Sequence, residues 1–209
     1  MIQAPCPSCA TQIRFVSKAS LYAVCPACDN LVLRKDLDVE RVGALGHVQE
    51  DGTPIQLGTR GTHAGATFEV VGRIQLQFPT GFWNEWHAQF RGDRSGWLGE
   101  AQGTYVVTFL TRYPERPPEY RSLRAGQPIT IAQREFIVKE VQEAMCVGGE
   151  GELPFRIESD TLAPVVDLAT HGKEFATLDY SETPPLLFLG EQCEFDELKL
   201  ENVRKVEGW

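Results

Sequence analysis

Four cysteines near the N-terminus, Cys6, Cys9, Cys25 and Cys28, are spaced C-x2-C-x15-C-x2-C in the stretches APCPSCATQIRF and AVCPACDNLVLR. Each Cys-Pro-x-Cys makes a tight knuckle whose two sulfurs can face one ion. Strand-type residues follow each knuckle, Ile13 to Val16 and Leu31 to Leu33, and Ser20 to Val24 alternates as a strand into the second. The pattern predicts a zinc ribbon over 1–35 holding one structural zinc per chain. Four thiolates complete a tetrahedral shell and leave no position for a reacting water. So short a segment has too little core to fold unaided, and the metal supplies roughly 10–16 kcal/mol in comparable sites. An iron–sulfur centre and a redox dithiol pair are the rival readings of the same cysteines. His47 reads as a solvated residue and not a fifth ligand.

A second feature is internal similarity. Shifting the chain by 68 residues lays Gly126 on Gly58, Phe136 on Phe68 and Val138 on Val70. After a gap, Glu152, Leu153 and Ile157 fall on Glu85, Trp86 and Phe90, and Gly172 to Leu178 falls on Gly103 to Phe109 once two residues are inserted. The expectation is a tandem repeat: a first β unit at 52–110 and a second at 125–204. Residues 36–51 read as a linker, 111–124 as a Pro/Arg-rich connector and 205–209 as a tail.

Alternation places strands over Phe68 to Phe78, Phe82 to Phe90, Ser95 to Leu98 and Tyr105 to Leu110. In the second unit it places them over Pro128 to Ile131, Glu135 to Val141, Phe155 to Ile157, Val165 to Leu168 and Glu174 to Leu178. Gly148 to Glu152 reads as a hairpin loop, and LLFLGEQCEF as a hairpin turning at Gly190-Glu191. Asp196 to Arg204 is a final strand or a short helix. The fold class is mainly β: an N-terminal zinc ribbon followed by two related small antiparallel barrel-like or bent-sheet units.

Composition excludes more than it assigns. Acidic residues outnumber basic ones 29 to 20, and a net charge of -9 argues against nucleic acid and anionic membrane surfaces while favouring cationic ligands or basic protein faces. No apolar run approaches a membrane span, and MIQAPCPSC lacks the form of a signal peptide, so a cytoplasmic location is expected. Six cysteines then point to metal and free thiols, with Cys146 and Cys193 as buried inert thiols.

No phosphate loop, nucleophile elbow or zinc-protease motif occurs. The unusual composition is Phe82-Trp83-Asn84-Glu85-Trp86. On a strand, Phe82, Asn84 and Trp86 share one face while Trp83 and Glu85 share the other. With the first face buried, an indole and a carboxylate stand side by side, as an organic ammonium ion requires. Trp97 and Glu100 are expected to join them from the neighbouring strand. The competing reading makes the tryptophans core of a small barrel, with Glu85 capping a loop or paired to Arg73.

CPSC…CPAC, the SLYAVCPAC approach, LGTRG…F-x-V-x-G-R, GFWNEW and WLGEAQG together resemble an uncharacterised bacterial family, domain of unknown function 4178. The similarity continues through GELPF and the last strands. It departs from the usual knuckle in having Ala10 and Asp29 where glycine commonly follows the second cysteine. The resemblance implies companions of polyamine-synthesis enzymes and of small membrane proteins, without an established activity. The expected role is a non-enzymatic cytoplasmic adaptor or ligand-binding protein, with a protein partner and a cationic small molecule such as a polyamine as its contacts. The alternatives are an enzyme or direct regulator in polyamine metabolism with a site near Glu85, and a nucleic-acid-binding ribbon protein.

Overall fold

The computed structural model describes residues 2–35, 38–79, 81–113, 116–157 and 162–206. Asp36 and Leu37 of the expected linker, Thr80 of a turn, Pro114 and Glu115 of the connector and the last three residues of the tail lie outside them. Among the described residues no helix is long and apolar enough to cross a membrane, and the chain is built almost wholly of strands.

The ribbon opens with β1 (Ile2–Pro5) and β2 (Gln12–Phe15), which pair with each other as a separate small sheet. β3 (Tyr22–Val24), β4 (Asn30–Lys35) and β5 (Asp38–Ala44) follow. β5 corrects the expected linker, because Val39 is buried in the ribbon's own core and the strand pairs along the whole of β4. Polar residues at alternate positions, which read as irregular chain, are the solvent face of an edge strand.

Two five-strand units then repeat one order. The first comprises β6 (Arg60–His63), β7 (Ala66–Phe78), β8 (Gly81–Phe90), β9 (Arg94–Ala101) and β10 (Thr104–Thr111). The second comprises β11 (Pro128–Ile131), β12 (Arg134–Leu153), β13 (Leu162–Ala169), β14 (Glu174–Asp179) and β15 (Leu186–Cys193). Each begins with a short hairpin and continues as a meander. The Gly58 amide bonds the Val70 carbonyl at 2.8 Å, and the Gly126 amide bonds Val138 at 2.8 Å. Hairpin turns sit at Ala64-Gly65 and at Ala132-Gln133, all four with positive φ. A bulge falls between Val70 and Gly72 in β7 and between Val138 and Glu140 in β12.

The units are fused. β10 pairs with β15, and the second half of β12 pairs with β7, so that β7, β8, β9, β10, β15, β14, β13 and β12 close into a ring. Gly148 to Glu152 is therefore strand, not the expected hairpin loop: Gly148, Gly149 and Gly151 pair with Gln75, Ile74 and Gly72. Glycine is needed there because a Cβ on Gly148 would stand 2.6 Å from the His47 carbonyl carbon of the crossing chain. Gly190 likewise lies inside a continuous β15, where a Cβ would meet the Val107 carbonyl oxygen at 1.8 Å. Phe155 to Ile157, expected as a strand, leaves the sheet after β12. The later part of the internal alignment shifts accordingly. Glu152 and Leu153 end β12, and β14 follows β13 as β9 follows β8.

Each unit has its own core, one around Phe68, Val70, Trp86 and Leu98, the other around Phe136, Val138, Leu168 and Leu178. Ile55 caps the first and Leu123 the second, both fully buried. The segment Phe195–Leu198, a single 3-10 turn where a strand or helix was expected, also packs on the first core, and Glu201 bridges to Arg60. The ribbon is held to one end of the ring by the pairing of β3 with the end of β12. Val24, Leu31 and Leu45 pack there against Ile74, Trp97 and Leu153.

Candidate metal centre and cavity

The two knuckles are built alike. The Ala10 amide bonds the Cys6 carbonyl at 2.9 Å and the Asp29 amide bonds Cys25 at 3.0 Å. Both Ala10 and Asp29 take the left-handed conformation that glycine would occupy more easily. The four sulfurs lie within 4.8 Å of one another, with Cys6 and Cys28 at 3.7 Å and Cys9 and Cys25 at 3.6 Å. A tetrahedral ion bound at about 2.3 Å sets its sulfurs about 3.8 Å apart, whereas a disulfide needs about 2.05 Å. The set thus fits a single metal ion. Asn30 Nδ2 donates to Cys28 Sγ at 3.1 Å, and Arg41 Nε donates to Asn30 Oδ1 at 2.6 Å, fixing the amide in that sense. Hydrogen bonding with Thr11 lowers the Cys9 thiol to about 6, while burial pushes Cys25 up to about 12. A metal must therefore displace a proton from Cys25. His47 faces Asp29 at 3.0 Å with most of its side chain in solvent and is no ligand.

The four residues expected to share a recess are divided among three places. Trp83 and Glu85 lie together on the inner face of the ring. Trp97 faces the same way but is sealed at the ribbon end, against the rings of His87 at 5.3 Å and Phe155 at 5.5 Å. Glu100 is on the opposite face, because it stands across from Asn84 in the register of β8 and β9. There it accepts from Thr53 Oγ1 at 2.6 Å and Trp86 Nε1 at 2.9 Å. Arg73, 1% exposed, belongs to the same buried network: it donates to Asp51 and Asn84 and stacks on Trp86. The network pins the chain that crosses from ribbon to ring, and Arg73 does not pair with Glu85.

Trp83 borders a cavity of about 400 Å3 at the ring's other end, whose wall also includes Phe78, Gly99, Val106, Asp167 and Phe175. Lys139, Glu140, Gln142 and Gln192 also line it. Gly99 allows close packing at this wall: a Cβ there would stand 2.7 Å from a Val106 methyl, 3.2 Å from Trp83 Nε1 and 3.3 Å from Glu85 Oε1. The indole N–H is buried without a partner at hydrogen-bond geometry. The Glu85 carboxyl is enclosed, although the residue keeps some exposure. Burial, and then the charge of Asp167, push Glu85 up to about 8. Asp167, 5% exposed, accepts from Thr177 Oγ1 at 2.7 Å, and burial pushes it up to about 7. The sequence reading missed Asp167 and Phe175. The signal for Asp167 was an acid inside the apolar run Val165-Val166-Asp167-Leu168.

The family model described as Domain of unknown function (DUF4178) matches residues 56–195, or 140 of the 209 residues, which span the whole ring. No curated protein and no solved structure matches the chain.

Proposed function

Given that the chain belongs to the family described as domain of unknown function DUF4178, we propose that it is a non-enzymatic ligand-binding or adaptor protein. A zinc ion builds its ribbon, and the ring carries a site for a cationic small molecule such as a polyamine. The observation that carries this reading is the cavity, where the rings of Trp83 and Phe175 meet the Asp167 carboxyl, with Glu85 enclosed beside Trp83. Aromatic faces each contribute roughly 0.5–2 kcal/mol to holding a cation, and an enclosed carboxyl that ionises beside it supplies the opposing charge. The recurrence of strand order, bulge and turn supports reading the ring as two copies of one unit, with the cavity at their seam. Four cysteines grouped for a metal ion and not for disulfides support a reducing, cytoplasmic setting.

One observation favours the enzyme alternative: a carboxyl that stays protonated near neutral pH, as Glu85 does, is what a general acid requires. Calorimetry with spermidine at low and moderate salt tests the ligand reading. The expected result is binding that Glu85→Gln weakens at least tenfold and that salt weakens further; equal heat from the two proteins would leave it without support. Elemental analysis tests the metal, with one zinc per chain expected and iron contradicting it.

A further inference from the structure

Gln77 and Met145 correspond under the 68-residue shift, and they pair with each other where β7 meets β12. Equivalent strands that pair antiparallel, as β7 does with β12 and β10 with β15, relate the two units by an approximate two-fold axis. On one side of that axis β12 runs on along β7, from Cys146 opposite Leu76 to Gly151 opposite Gly72, and β7 is buried from Gly72 to Gln75. On the other side the matching run is missing, because β7 stops at Phe78 and the chain returns as β8. Up to the second bulge the units agree: Val138 bonds Gly126 and Gln127 as Val70 bonds Gly58 and Thr59. Beyond it, residues 140–144 of β12 pair with β13 alone among the described residues, and Lys139, Glu140 and Glu143 are exposed. The cavity adjoins this uncovered edge. Its lining takes Lys139, Glu140 and Gln142 from β12 and Gly81, Phe82 and Trp83 from the start of β8. Both flanks of the gap belong to this chain, which suits a single strand better than the edge of a second sheet.

Resting on the adaptor and ligand-binding reading above, we propose that an extended segment of a partner protein adds a strand along residues 140–144 of β12 and places a lysine or arginine side chain in the cavity. The strand runs antiparallel to β12, as β12 itself runs along β7 in the counterpart slot. Its backbone takes the alternate N–H and C=O groups of β12 that point away from β13. Five residues at about 3.4 Å each make a run of about 17 Å. Alternation sends every second side chain of the added strand inward. There a basic side chain lays its apolar stem on Trp83 and Phe175, which pack together with Val106, and brings its charge to Glu140 and Asp167, which face each other across the ladder. Acidic groups outnumber basic ones at this edge, with Glu140, Glu143 and Asp167 against Lys139, so a basic segment is complementary and an acidic one is repelled. Lys139 at the bulge marks where pairing begins, and charges beside an open edge discourage unselective pairing.

The experiment uses the full zinc-loaded chain and capped seven-residue peptides of alternating threonine and valine, with lysine, arginine, norleucine or glutamate at the central position. Calorimetry gives the affinities, and amide hydrogen exchange read by mass spectrometry locates the contact. A lysine or arginine peptide should bind at least tenfold more tightly than the norleucine peptide and slow exchange within 140–144. Glu140→Lys, a change at an exposed side chain, should lower that affinity at least tenfold and shift preference to the glutamate peptide. Basic peptides that bind no more tightly than n-butylammonium, or that protect a different edge such as β5, would overturn strand addition; spermidine binding by the same protein would then leave the small-molecule reading standing. Self-association of the chain alone in sedimentation, with exchange slowed within 140–144, would assign the edge to a second copy and likewise overturn the proposal.

Discussion

Leu31→Ala should weaken metal binding although Leu31 touches no metal. Leu31 is 2% exposed and reaches from β4 across the ribbon–ring boundary into the cluster with Ile74, Trp97 and Leu153. Truncating a leucine so enclosed costs about 2–5 kcal/mol. In a segment whose folding is coupled to its metal, that loss is subtracted from the apparent binding free energy of the ion. At about 1.4 kcal/mol per factor of ten, affinity should fall roughly 30-fold to several-thousand-fold. The lower part of that range is expected, because β3 stays tethered to β12 by strand pairing and the Glu152 carboxylate still holds the Val16 and Ser17 amides. Competition against a chromophoric zinc chelator measures the affinity. Tryptophan emission during chelation reports whether Trp97 loses its cover. Affinity within about threefold of wild type, together with a ring destabilised by the full 2–5 kcal/mol, would refute the reasoning, since the ribbon would then be ordered without its metal.

Gln133 sits at φ +60 in a turn whose counterpart, Gly65, is at φ +77; Gln133→Gly should raise stability by up to about 1 kcal/mol, some 2–4 °C in Tm by calorimetry. Glu85 has its pKa raised from 4.5 to about 8, so its stabilising effect is complete below about pH 4.5 and lost as pH rises through about 8. Glu85→Gln should therefore flatten the fall of the urea midpoint over that window, a difference of at most about 5 kcal/mol. Asp167 acts in the same direction between 3.8 and about 7. Ending the chain after Glu194 removes the fully buried Leu198 with Phe195 and Leu200 from the first core, and should cost about 3–5 kcal/mol or abolish folding; a loss under about 1 kcal/mol would sink that reading.

The metal set was legible because cysteine spacing is itself the geometry: two knuckles of fixed span must bring four sulfurs together. The meander strands were legible from alternation, which recurs wherever one face meets a core, as in Phe68, Val70 and Trp86, Ala88, Phe90. The pocket was only half legible. Trp97 and Glu100 are three residues apart on one strand, an odd spacing that already assigns them to opposite faces, so they could not both join Trp83 and Glu85. Glycines misled in the other direction. Gly148, Gly149 and Gly190 resemble turn residues, yet each marks a close approach of two backbones, a requirement set by partners distant in sequence. The pairing of β7 with β12, which closes the ring, joins residues such as Leu76 and Cys146 and leaves no local trace.

Much of the chain outside the ring serves to cover it, and the covers cross over. Tyr113 and Tyr120, which follow the first unit, pack on the second core, and Phe195, Leu198 and Leu200, which follow the second unit, pack on the first. Neither unit completes its own core, so the ring folds as one body although its strand order reads as two. The ribbon is a further cover, closing the end where His87, Ser95 and Trp97 meet. At the opposite end this logic stops, with the Trp83 indole N–H buried without a partner and the Glu85 carboxyl enclosed beside it. A buried polar group without a partner costs about 1–3 kcal/mol, and native proteins leave few of them. The indole favours the ionised form of Glu85, so part of that cost is recovered within the chain when the carboxyl gives up its proton.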